Sequence, residues 1–234
     1  MSVKRPLTGM SLDSSNRVLL SISVAAALVY LTGWLPFPAQ VLAKGLTVST
    51  LAIIAFRWRQ PLLGLALSFG SLGDVLLDLD PGRLFVFGLG AFLLGHLTYI
   101  TLFIRRRWSR QDLAPRLKTR WAIVAFLLVY IIAFSVWLSP SLGALAAPVY
   151  AYMGAITLMA MAAGFAGFRR PWVVAGAICF VASDSILGAA KFATSGPIPG
   201  RDFLVWTTYC LAQYGLTLGC LSESSYGADT TSVS

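Results

Sequence analysis

Residues 61–78 read PLLGLALSFGSLGDVLLD, an apolar run of helical length that starts on Pro61 and yet carries Asp74 and Asp78. A helix rises about 1.5 Å per residue, so about 20 mostly apolar residues cross the roughly 30 Å hydrocarbon core of a bilayer. The run therefore predicts a membrane-spanning helix with carboxylates inside it or at its edge. Seven more stretches read in the same way, near 18–35, 39–56, 84–104, 120–138, 145–167, 172–191 and 203–221. Helix breakers and charges separate them: Pro36 and Pro38, Arg57 to Pro61, Asp80-Pro81-Gly82, the basic stretch from Arg105 to Arg120, Ser139-Pro140, Arg169-Arg170-Pro171, and Pro197 to Gly200. The expected fold is all-α, a polytopic transmembrane helical bundle of about eight spans. A tail over 1–17 precedes the bundle over 18–221, and a disordered tail follows over 222–234. Bulk composition agrees, with 57% hydrophobic and 12% charged residues and a mean hydropathy of +0.77, values outside those of soluble domains.

Orientation follows from the loops, because Lys and Arg are enriched on the cytoplasmic side. With a cytoplasmic N-terminus, Lys4, Arg5, Arg17, Arg57, Arg59, the 105–120 stretch, Arg169 and Arg170 lie inside, against Arg83, Lys191 and Arg201 outside. Both termini are expected in the cytoplasm, and the protein in the plasma membrane if it is bacterial. The net charge of +9 is thereby a matter of topology and calls for no nucleic-acid partner, although 105–120 could also meet anionic lipid headgroups. The first apolar run is long for a signal peptide, and cleavage after Val41-Leu42-Ala43 would leave an odd number of spans. Cys179, Cys210 and Cys220 fall within spans and read as apolar fillers.

The ionisable residues inside the spans carry the chemical information, since charge in hydrocarbon is costly and normally faces a bundle interior or a cavity. They are Lys44, Asp74, Asp78, His96, Asp184 and Lys191. In the assigned topology Lys44, Asp74 and Asp184 lie in the outer halves of their helices and His96 nearer the midplane, depths that allow one shared chamber. Spacing puts Asp74 and Asp78 on one helix face, His96 and Tyr99 on another, and Asp184 and Lys191 on a third. Phe69-Gly70-Ser71-Leu72-Gly73-Asp74 and Phe180-Val181-Ala182-Ser183-Asp184 each place a carboxylate after an aromatic and small residues. Plainer roles exist for some of these: Asp78 as an interfacial carboxylate, Lys191 as a snorkelling cation, His96 and Tyr99 as packed bundle residues, Lys44 as one half of a structural ion pair. Two carboxylates at similar depth on separate helices have no such plain account.

At these positions the sequence resembles the YhhN-like lysoplasmalogenase family. The resemblance rests on Ala43-Lys44-Gly45-Leu46, the run from Ser68 to Leu77 around Asp74, Phe92-Leu93-Leu94-Gly95-His96-Leu97-Thr98-Tyr99, and Phe180 to Ser185 around Asp184, in order across roughly 40–220. One departure is Gly45, where the family has a proline after the lysine. The resemblance implies hydrolysis of the vinyl ether bond of a lysoplasmalogen to a fatty aldehyde and glycerophosphocholine or glycerophosphoethanolamine, with a lysophospholipid as the partner molecule. That chemistry needs a proton delivered to an alkene carbon, a stabilised oxocarbenium ion and an attacking water, which two carboxyl groups in opposite protonation states can provide, as in glycosidases. Asp74 and Asp184 are the candidate catalytic pair. Lys44, His96, Tyr99 and Asp78 are candidate supporting or substrate-binding residues. No cofactor is expected, and one histidine with scattered aspartates lacks the spacing of a hydrolytic metal site. Intramembrane Asp, His and Lys also build proton relays, so a proton-coupled solute transporter and a non-catalytic lipid-binding protein remain alternatives from sequence.

Overall fold

The computed structural model describes residues 13–106, 117–168, 171–194, 196 and 198–230, with side chains described as far as Ser222. Among these residues there are eight α-helices and no β-sheet: α1 Ser14–Leu31, α2 Ala39–Arg57, α3 Pro61–Leu79, α4 Phe85–Arg105, α5 Leu117–Leu142, α6 Ala146–Phe165, α7 Trp172–Phe192 and α8 Arg201–Thr230. Each expected span falls on one helix, and local chemistry moves the edges. Asp13 accepts from the Asn16 amide at 2.7 Å and starts α1 upstream of its apolar run. That amide, together with Arg57 Nη2 at 3.2 Å, holds the Asp13 carboxyl below the usual carboxylate range. Gly33, at φ +67°, closes α1 before Pro36, so the expected boundary at 35 is corrected to 31. Pro61 occupies the first turn of α3, where its missing N–H leaves no bond unmade.

Pro140 does not end α5 as its position suggests, because a proline in the last turn removes a single backbone bond. The helix runs on to Leu142 and stops where Gly143 adopts φ +50°, a left-handed conformation that glycine takes without strain. A 3₁₀ turn, Gly143–Leu145, then leads directly into α6. Among the described residues six segments are long and apolar enough to cross a membrane: α1, α2, α3, α4, the continuous Leu117–Phe165 stretch that contains α5 and α6, and α7. Thr207, Thr208, Gln213 and Thr217 leave α8 less apolar, and it extends past its apolar run to Thr230. The 107–116 part of the segment expected to meet anionic lipid lies outside the described residues.

Sequence neighbours pack side by side through α1 to α4, α4 then meets α6, and α8 packs on α7 and closes back onto α1, α2 and α3. Helix α5 stands outside this ring, against α6 and part of α7. The bundle wears its apolar side chains outward: Phe126 is 66% exposed, and Val129 70%. Ser23, Thr47, Thr50 and Thr217 are buried. In a bilayer apolar burial gives no net drive between helices, and close packing and internal hydrogen bonds hold them together. Ser23 Oγ donates to Thr47 O at 2.6 Å, Ser71 Oγ to Gly45 O at 3.0 Å, and Trp206 Nε1 to Ala27 O at 3.0 Å. Glycine provides the closest contact. A Cβ on Gly176 of α7 would lie 2.9 Å from Leu216 N and 3.0 Å from Ala212 O of α8, so the two backbones touch.

Candidate active site

A cavity of about 320 Å³ lies inside the bundle, and all eight helices contribute to its wall. Both carboxylates expected to act as a pair, Asp74 of α3 and Asp184 of α7, face it. Its wall passes from exposed residues at one end of the bundle, Pro81, Lys191 and Arg201, to buried ones, Phe92, Ile156 and Tyr209. The exposed end carries the α3–α4 and α7–α8 connections. Asp74 lies deep, 3% exposed, while the Asp184 side chain is 17% exposed.

Each carboxylate is held by a tyrosine from a different helix. Tyr209 of α8 donates its phenol proton to Asp74 Oδ2 at 2.6 Å, and Tyr152 of α6 donates to Asp184 Oδ2. Behind each tyrosine stands a second polar residue. Gln213 hydrogen-bonds Tyr209 and accepts from Tyr99 at 3.3 Å, so Tyr99 reaches Asp74 through two intermediaries and does not line the cavity. His96 Nε2 lies 3.0 Å from the Tyr152 oxygen and 4.0 Å from Asp184 Oδ2. Where Tyr152 gives its one proton to Asp184, its oxygen is left to accept from a proton on His96 Nε2. Among the described residues the buried Nδ1 has no hydrogen-bond partner, and in that tautomer it is a bare lone pair. His96 is thus a backing residue, packed against Phe180 with ring centroids 4.8 Å apart.

Lys44 pairs with Asp78, their Nζ and Oδ1 atoms 2.8 Å apart and their side chains 15% and 18% exposed. Its ammonium also lies 5.7 Å from the ring centroids of both Tyr30 and Trp206. The pair ties the start of α2 to the end of α3 at the rim of the cavity. Replacing Lys44 by Met strands the Asp78 carboxylate and is expected to cost about 2 kcal/mol, less than the about 3–5 kcal/mol of a fully buried pair because water reaches both groups. A Lys44→Met/Asp78→Leu double variant should recover most of that loss in thermal unfolding in detergent. Equal melting of wild type and single variant would show that the pair contributes nothing.

Tyr152, Tyr209 and Gln213 were not singled out from the sequence, where phenols and amides are ordinary in membrane helices. The available signal was the four-residue spacing of Tyr209 and Gln213, which puts them on one face of α8. Among the described residues no three His, Cys, Asp or Glu side chains converge as a metal site would require. The arrangement offers two carboxyl groups, each fixed through one oxygen and each leaving the other oxygen for a ligand in a shared, mostly apolar chamber.

Comparison with known proteins adds an independent line. The YhhN family matches residues 39–220. Proteins named lysoplasmalogenase from Mycobacterium bovis and Mycobacterium tuberculosis are each 36% identical to this chain over 169 residues, which cover 70% of the chain and 60% of each relative. The chain thus spans about 60% of the length of the curated relatives it matches. No solved structure matches the chain.

Proposed function

The chain belongs to the YhhN family, and from that membership and its two tyrosine-held carboxylates we propose that it is a membrane hydrolase of lysoplasmalogens. The bond cleaved is the vinyl ether, and the products are a fatty aldehyde and glycerophosphocholine or glycerophosphoethanolamine. The observation that carries this reading is Asp74 and Asp184 facing one cavity from separate helices, each bonded to one phenol. Positions 18–221 form the catalytic unit in this reading, with both termini on the cytoplasmic side. Helix-end arginines at Arg57, Arg59, Arg105 and Arg106 support that orientation.

The chemistry is acid–base. One carboxyl group gives its proton to the alkene carbon remote from the ether oxygen, and the electron pair of the double bond forms the new C–H bond. The cation left on the other alkene carbon is shared with the ether oxygen as an oxocarbenium ion, stabilised by the carboxylates beside it. The second carboxylate takes a proton from water as the water oxygen bonds to that carbon. The resulting hemiacetal collapses to aldehyde and alcohol, its hydroxyl proton passing to the departing oxygen, and the proton taken from water returns to the first carboxylate. Tyr152 and Tyr209 fix the two carboxyls so that no reorganisation is needed at the moment of reaction.

The test is lipid mass spectrometry of purified protein incubated with matched vinyl ether, ester and alkyl ether lysolipids. Aldehyde released from the vinyl ether alone is the expected result. Cleavage of the ester would make the protein a lysophospholipase, and bound lipid without any cleavage would make it a lipid-binding protein. Proton or solute flux in proteoliposomes without lipid turnover would make it a transporter.

A further inference from the structure

Among the described residues three cations line the cavity, and two of them are matched: Lys44 by Asp78 at 2.8 Å, and Arg201 Nη2 by Asp202 Oδ1 at 2.7 Å. Lys191, exposed at the open end, has no carboxylate partner among the described residues. Its ammonium rests over Phe85, 4.1 Å from the ring centroid, and lies 5.9 Å from that of Phe192. Aromatic faces attract a cation without neutralising it. The two rings therefore fix the ammonium at the cavity wall with its charge still available to an anion.

We propose that Lys191 binds the phosphate of a lysophospholipid whose reacting bond lies at Asp184, which makes it the residue that distinguishes phosphate-bearing ether lipids from neutral ones. This rests on the hydrolase reading above. Lys191 follows Asp184 by seven residues, two turns along the same face of α7 and about 10.5 Å up its axis. In a glycerophospholipid five bonds separate the ether oxygen from phosphorus, a span of about 6 Å at the reach of an extended chain. With contacts of about 3 Å at each end, from carboxyl to alkene carbon and from ammonium to phosphate oxygen, an extended ligand reaches at least about 12 Å, so a bent glycerol bridges that rise. Lys44, although deeper and more buried, already has its charge met by Asp78, and Arg201 is occupied by its sequence neighbour.

The test uses binding of lipids that cannot be hydrolysed, measured by isothermal titration in detergent. A 1-alkyl lysophospholipid, the matching 1-alkylglycerol and inorganic phosphate are each titrated into wild type, Lys191→Gln and Lys191→Arg. A charge-assisted hydrogen bond is worth enough to predict about tenfold weaker lysophospholipid binding in Lys191→Gln. Alkylglycerol affinity should be the same in all three proteins, and Lys191→Arg should bind the lysophospholipid as wild type does. Unchanged lysophospholipid binding in Lys191→Gln would overturn the proposal, as would equal loss of alkylglycerol binding. Inorganic phosphate bound in a Lys191-dependent way, without any preference for the lipid, would assign the site to free phosphate and overturn its lipid role. Since no bond is broken, failure here leaves vinyl ether cleavage standing, and absence of cleavage leaves this binding result readable.

Discussion

Aldehyde release from a vinyl ether lysolipid should fall by about 10³-fold in Asp184→Asn and in Asp74→Asn, with the folded protein retained, because general acid–base catalysis contributes about 10²–10⁴ in rate. Asparagine keeps the shape of the carboxyl group and an oxygen that can accept from Tyr152 or Tyr209, so the loss reads the chemistry and not the packing. It cannot give a proton to carbon or take one from water. Acid and base act in one sequence of steps, so the Asp74→Asn/Asp184→Asn variant should be little worse than either single variant. Initial rates by aldehyde detection, beside a thermal melt of each variant, make the measurement. Turnover near the wild-type rate in a folded variant removes that carboxylate from the mechanism. Tyr152→Phe should have a milder effect, since it releases Asp184 without removing it.

The largest effect on stability is expected at Gly176. Its Cα faces the α8 backbone so closely that any side chain meets main-chain atoms at about the 2.9–3.0 Å separation of Leu216 N and Ala212 O. Gly215 meets the reverse restriction, since its Cβ would lie 3.1 Å from Trp172 O. Main-chain atoms in two packed helices cannot turn aside as a side-chain tip can. Gly176→Val must therefore push α7 and α8 apart, at about 3 kcal/mol or more, the upper range for overpacking. Gly154, with nothing within 4 Å of its would-be Cβ, is the internal control: Gly154→Ala should change stability by less than about 1 kcal/mol. Detergent-solubilised melting of the two variants decides the matter, and a Gly176→Val protein as stable as wild type would refute the backbone contact. Activity should fall with it, because α7 carries Asp184 and α8 carries Tyr209.

The helices were legible because hydrocarbon imposes a length and a composition that runs such as 61–78 display openly. Asp74 and Asp184 were legible for the complementary reason, that a carboxylate in such a run is expensive enough to need a use. The partners of those carboxylates were harder to read. Tyr152 and Tyr209 are not costly in a membrane helix, so nothing local marks them, and their pairing with Asp184 and Asp74 depends on how α6 meets α7 and how α8 meets α3. The choice of Asp78 over Asp74 as the partner of Lys44 depends likewise on the relative height of α2 and α3, which no single helix encodes. Pro140 misleads because the same residue ends a helix in one context and is tolerated in its last turn in another. Helix α8 is the weakest hydropathy signal of the eight, since some of its polar groups, Gln213 and Thr217 among them, are spent inside the bundle.

The gradient along the cavity, open at Pro81, Lys191 and Arg201 and shut at Phe92, Ile156 and Tyr209, makes the site sided. In the proposed hydrolase reading a lysolipid enters with its headgroup at the open rim only from the leaflet that borders that rim, which in the proposed orientation is the outer one. Molecules in the opposite leaflet are out of reach until they flip. In that reading the pool available to the protein is set by transbilayer lipid movement as much as by affinity, and the water-soluble product is returned to the side from which its parent came.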